Sequence, residues 1–217
     1  MARQPRSRRV PLTRERILRA ALDVADAEGL GAVTMRRVGQ ALGVEAMSLY
    51  NHVRGKDELL DGMADLLIGE IPAPPAGVAW KDAIRHRAWS GRALVRRHRW
   101  APGLLASRPR VRLPLFTYLD GVTGDLLAAG FSPQLAHTAI HVLDSRVLGF
   151  TRELFDPAGQ EPPDPGILEA LAAGTHAHAL RIVEEAVHDD DAEFAFGLDL
   201  ILDGLERARD HEVGGPG

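Results

Sequence analysis

The sequence predicts an all-α protein. A three-helix N-terminal unit built around a helix-turn-helix is followed by a connecting helix and a larger helical bundle. Three observations carry this expectation. Apolar residues recur at helical spacing along most of the 217 residues. No stretch alternates apolar and polar residues as a half-buried strand would. Glycines and prolines mark the ends of several periodic segments, as at Gly29, Gly43, Gly55 and Pro72.

Residues 1–11 read as a disordered basic arm. Thr13 is placed to cap a helix running to about Glu28, with Ile17, Ala21, Val24 and Ala25 on one face. Gly29 ends it. A second short helix follows Thr34, with Val38 and Leu42 on one side, and Gly43 breaks it. A third runs from about Glu45 to His52, turning Leu49 and Val53 inward. A fourth, about Asp57 to Glu70, is stopped by Pro72. Residues 12–71 are therefore expected to form one domain with its connecting helix.

The run Pro72-Ala-Pro-Pro-Ala-Gly-Val78 reads as a linker. Helical patterns resume at Trp80–Arg99, Pro114–Ala129 and Pro133–Leu154. A proline-rich loop over 156–166 follows, then two helices at about Ile167–Val187 and Ala192–Arg209. The second domain is expected over 80–209, with a flexible tail at 210–217.

Composition narrows the function classes. With no cysteine, disulfides and thiolate metal sites are excluded. No stretch of 18 uninterrupted apolar residues is present, so no membrane span is expected. Arg3, Arg6, Arg8 and Arg9 precede no apolar run, which argues against a signal peptide and for a cytoplasmic protein. The net charge of −4 is unevenly placed. Residues 1–56 hold 11 Arg/Lys against 5 Asp/Glu, whereas residues 150–217 hold 4 against 16. A basic head and an acidic tail suit different partners.

Two short helices around a tight Gly43 turn have the geometry that enters the DNA major groove. Leu49 and Val53 bury one side of the second helix. Met47, Ser48, Tyr50 and Asn51 are left on the other to meet base edges and backbone. Thr34 and Arg36, at the start of the bracing helix, suit phosphate or guanine. Lys56, at the start of the fourth helix, suits phosphate.

The segments Thr34-Met-Arg-Arg-Val-Gly-Gln-Ala-Leu-Gly-Val44, Ser48-Leu-Tyr-Asn-His-Val53 and Lys56-Asp-Glu-Leu-Leu60 resemble the DNA-binding domain of the TetR family. That resemblance implies DNA contacts at Thr34, Arg36, Ser48, Tyr50, His52 and Lys56. Arg36 would face a base, Ser48 a base edge or phosphate, and Tyr50, His52 and Lys56 the backbone. Met47 and Asn51 fall where the family varies. Trp80-Lys-Asp, Arg108-Pro109, Ala129-Gly-Phe-Ser132 and the run Glu193–Leu205 are similar to the C-terminal domain of the tetracycline repressor subgroup. In that subgroup the domain binds an inducer and dimerises through a four-helix bundle.

Dimerisation also follows from the residues themselves. Phe194, Gly197, Leu198, Ile201, Leu202 and Leu205 form one apolar face, widened by Phe196 and Leu200. Ala136, Ala139, Ile140, Leu143, Val147 and Leu148 form another. Gly149, Gly197 and Gly204 would permit close backbone approach. A dimer places two recognition helices roughly 34–36 Å apart, matching a palindromic site.

The ligand is expected among the central helices. Register and position place Trp89, Leu104, Ser107, Phe116, Leu119, His137, His141 and Ser145 around it. The subgroup's drug and magnesium positions fall here at Pro72, Arg87, Leu104, Ser107 and near Val122, and only Ser107 keeps comparable chemistry. Neither tetracycline nor a metal is carried over, and no cofactor is expected. His137 and His141 stand four apart but lack a third ligand of convincing spacing. His141, Asp144 and Ser145 have the residue types of a hydrolase triad, but they lie within one helical turn with no nucleophile elbow.

The expectation is a repressor released from a palindromic operator by a small-molecule inducer. Two alternatives stay open: a regulator whose C-terminal domain binds protein or nothing, and an enzyme domain carrying a DNA-binding head. Activation also stays open, since its sense depends on operator position.

Overall fold

The computed structural model describes residues 11–108, 110–149 and 189–214, with scattered positions between 166 and 181. The described residues contain helices and turns but no strand. They divide into two compact units, Met1–Ile140 and His141–Gly217.

In the first unit α1 spans Arg14–Glu28. Thr13 caps it by accepting from the Arg16 amide, and Ile17, Ala21, Val24 and Ala25 are buried as their spacing predicts. A 3-10 turn over Leu30–Ala32 leads to Thr34, which caps α2 (Met35–Leu42) by accepting from the Arg37 amide. Gly43 closes α2 in the left-handed conformation, at φ 66°. Helix α3 is Ala46–Leu49, half the length expected. Residues 50–52 form a turn instead, with the His52 amide bonded to the Leu49 carbonyl. The inward pair still holds, since Leu49 is fully buried and Val53 nearly so.

Close approach of α2 and α3 sets the turn. A Cβ on Gly39 would lie 3.0 Å from the Val44 carbonyl oxygen and 3.3 Å from the Ala46 Cα. Both are backbone atoms that cannot rotate away. Gly39→Ala is therefore expected to destabilise the protein by about 1–3 kcal/mol through overpacking. A denaturant midpoint unchanged within error would contradict this account of the turn.

Helix α4 is Lys56–Gly69, α5 Trp80–Arg97, α6 Ala101–Ala106 and α7 Leu113–Ala128. Buried Leu59, Met63 and Leu67 of α4 share this unit's core with buried Ile17 and Leu18 of α1. Acidic and basic side chains join α4 to the segment after α6. Asp57, Asp61 and Asp65 stand at four-residue spacing along α4. Arg108 pairs with Asp57 and Asp61, and Arg112 with Asp61 and Asp65. Two Arg112–Asp65 bonds of 2.9 Å and one of 2.7 Å make that pair the most closely joined.

The start of α8 (Pro133–Gly149) completes the unit, with Ala136 and Ala139 buried and Trp80 edge-on to Phe131. The helix expected to Leu154 is described only to Gly149.

In the second unit, Leu143 of α8 is buried, as are Phe194, Leu198, Leu202 and Leu205 of α9 (Asp190–Gly214). Arg146 donates to the Glu193 carbonyl at 2.7 Å and lies over the Phe194 ring. Gly197 makes room for this guanidinium: a Cβ there would sit 2.8 Å from Nη2. A Cβ at Gly204 would meet no other atom within 4 Å among the described residues of this single chain. The tail expected from residue 210 is helical through Gly214, because no breaker precedes Gly214-Gly215-Pro216. The arm at 1–10 lies outside the described residues, as does nearly all of the loop and helix expected over 156–187.

Candidate nucleic-acid interface and ligand site

Adjacent arginines on α2 have opposite fates. Arg37 is held by Glu28, with Nε 2.8 Å from Oε1. The same pairing keeps the Glu28 carboxyl below its ordinary range, chiefly through the hydrogen bond from Arg37. A carboxyl lowered in this way adds stability above its usual range and gives it up as pH falls. Arg36 is exposed and makes no hydrogen bond or ion pair with the described residues. One turn further along the same face is Gln40, which sequence reasoning did not single out; its spacing of four from Arg36 was the available signal.

The exposed side of α3 carries Met47, 75% exposed, followed by half-exposed Tyr50 and exposed Asn51. Ser48 and His52 are partly exposed, and Lys56 is exposed at the first position of α4. None of these side chains is engaged by a hydrogen bond or ion pair within the described residues. Thr34 differs, since its hydroxyl oxygen already accepts the Arg37 amide; its O–H remains available to donate. An open cleft of about 450 Å³ lies beside this face, lined by Gln40, Gly43, Val44, Glu45 and Ser48. Glu45, expected only as the start of a helix, is a second residue not singled out for this face.

The ligand candidates are more dispersed. Leu104 is fully buried in α6. The Ser107 hydroxyl donates to the Leu104 carbonyl at 2.7 Å, so its proton is used within its own helix. Trp89 is partly buried beneath Arg92, Leu119 is partly buried, and Phe116 is 60% exposed. In the first unit His137 is exposed; in the second His141 and Ser145 are exposed, with the Ser145 hydroxyl bonded to the His141 carbonyl. The described residues contain no metal-holding group of three or more His, Asp or Glu side chains.

Two buried polar groups were not foreseen. Arg87 of α5 sends Nε and Nη2 to the same Asp125 oxygen of α7, at 3.1 and 3.0 Å, and its guanidinium lies 5.6 Å from the Tyr118 ring centre. His98 Nδ1 is 2.7 Å from Asp26 of α1, which also accepts from Trp100 Nε1 at 2.7 Å. The other ring nitrogen, His98 Nε2, is 2.9 Å from Arg97 Nε. Arg97 also pairs with Glu70 just after α4.

A short α2–turn–α3 pair with a free cationic and polar outer face defines a helix-turn-helix regulator of transcription. The chain belongs to the TetR family: residues 17–63 match "Bacterial regulatory proteins, tetR family" and residues 71–209 match "Tetracyclin repressor-like, C-terminal domain". It is 34% identical to the HTH-type transcriptional repressor DrrR1 of Streptomyces coeruleorubidus, over 94% of this chain and 81% of that protein. The apo structure of ActR from Streptomyces coelicolor aligns with a TM-score of 0.75 at 29% identity, covering 94% of this chain and 99% of ActR. The structure of ActR in complex with actinorhodin aligns at 0.74 with 27% identity, covering 92% and 97%.

Proposed function

We propose that this protein is a cytoplasmic repressor that binds a palindromic operator as a homodimer and is released by a small-molecule inducer. The observation that carries the DNA half is the set of unengaged side chains on one stretch of structure: Arg36, Met47, Ser48, Tyr50, Asn51, His52 and Lys56, joined by the Thr34 hydroxyl. Neighbouring charges such as Arg37 and Arg19 are consumed by Glu28, Glu15 and Glu70. The candidate reading surface is the part left open.

Homodimerisation is supported by Phe196 and Leu200, which stand 68% and 55% exposed one turn apart on α9, and by exposed Val142 on α8. Such a face is costly to leave in water. A second copy covers it and supplies the second recognition helix. No described helix is long and apolar enough to cross a membrane, which agrees with a cytoplasmic location.

The inducer half rests on the second domain's family and on ActR, whose structure holds actinorhodin. The residues put forward for ligand contact are Trp89, Leu104, Ser107, Phe116, Leu119 and His137 in the first unit and His141 and Ser145 in the second. Ion pairs from Arg108 and Arg112 make α4 the mechanical link from this region to the DNA-reading helices. Induction then requires a ligand that prefers the conformation unable to span the operator. About a 10⁴-fold preference converts a 1:99 population to 99:1. By linkage, operator DNA weakens inducer binding by the same factor. Tetracycline is excluded from this proposal, because its positions hold Pro72, the paired Arg87 and buried Leu104 and Val122.

Footprinting on the DNA upstream of its own gene, across a salt series, tests this reading. Two protected half-sites and an affinity that falls steeply with salt are expected. No protection there, and no sequence enriched from a random duplex pool, would overturn it.

A further inference from the structure

Methionine is out of place on a surface that otherwise offers hydroxyls, amides and cations. Met47 is the second residue of α3 and is 75% exposed, while Leu49, two positions on, is fully buried. The burial of Leu49 and Val53 fixes the rotation of α3, so Met47 is held outward. Its thioether has no hydrogen to donate and is a weak acceptor. It therefore cannot grip a phosphate or pair with the N–H and C=O pattern of a base edge. Ser48, Tyr50, Asn51 and His52 around it can do both.

One apolar feature stands on the major-groove edge of a base pair, the C5 methyl of thymine. An unbranched, adaptable side chain is suited to cover it. We infer that Met47 reads the methyl group of a thymine in each operator half-site. The inference rests on the proposal that α3 enters the major groove, and it adds which chemical group the helix selects there.

The test uses the full-length chain and the duplex it selects from a random pool. Each thymine in the half-sites is replaced in turn by deoxyuridine, which removes the methyl and leaves base pairing intact. Binding is measured by fluorescence anisotropy. Covering one methyl corresponds to about a four-fold change in affinity. Replacement at the matching thymine is expected to weaken binding about four-fold in one half-site and about fifteen-fold in both. In Met47→Ala the thymine and uracil duplexes are expected to bind alike. Circular dichroism and the melting transition check that this variant folds, as its exposed position predicts.

If a selected operator tolerates uracil at every thymine, the inference fails while the operator reading stands. It fails equally if Met47→Ala keeps the full penalty. If no sequence is selected at all, the DNA-binding proposal fails and takes the inference with it.

Discussion

Asp125→Ala is expected to destabilise the protein by about 3–5 kcal/mol, the usual result of removing one partner from a buried ion pair. The Arg87 side chain is only 9% exposed and Asp125 29% exposed. Truncating Asp125 leaves a guanidinium between α5 and α7 without its counter-charge, and the buried arginine has little room to reach water. The surroundings are built to its size, since a Cβ on Gly121 would lie 2.9 Å from its Nη2. Tyr118 gives some residual stabilisation through its ring face, on the order of 1–2 kcal/mol at most. The loss is read as a lower denaturant midpoint at unchanged slope. Asp125→Asn, which keeps an acceptor, should lose less. The double replacement Arg87→Met with Asp125→Leu should recover most of the stability, because two apolar groups of similar volume carry no desolvation cost. A loss below about 1 kcal/mol in Asp125→Ala would show that water reaches the guanidinium and that the pair is effectively a surface one.

Arg36→Ala is expected to weaken operator binding by roughly 2–6 kcal/mol, because a base contact is worth about 1–3 kcal/mol and the proposed homodimer would make two. That is a loss between about thirty-fold and about twenty-thousand-fold. The neighbouring Arg37→Ala serves as the contrast: its guanidinium is occupied by Glu28, so its removal should affect DNA binding far less. Arg36→Lys keeps the charge but not the planar two-pronged donor, so it should retain the salt dependence while losing discrimination at one base position. If Arg36→Ala instead weakens all sequences equally and flattens the salt dependence by one contact per subunit, Arg36 holds phosphate and not a base. The measurement is a salt series on the selected operator and on a one-base variant of it.

Local patterns carried the N-terminal helices into the sequence reading. Thr13 and Thr34 cap α1 and α2 through bonds three residues away, and the inward faces of α1 and α4 repeat at helical period. These are interactions between near neighbours, so spacing alone exposes them. The same spacing left Arg36, Met47, Ser48, Tyr50 and Asn51 outward, and the resemblance added His52. The length of α3 was less legible, because the turn at 50–52 keeps Leu49 and Val53 inward while abandoning the helix. Periodicity sees only the inward pair.

What the sequence by itself determined, then, is the all-α class, the helix-turn-helix with its caps and buried faces, and the family. What only the tertiary structure decided is which charges are spent. Arg36 and Arg37 are adjacent and identical in type, yet one meets Glu28 and the other meets solvent. Arg87 finds Asp125 across 38 positions, and His98 finds Asp26 across 72. The physical reason is one of range: helix capping and amphipathic periodicity act within a few residues, whereas the partner of a charged side chain is chosen by packing between helices that are remote along the chain.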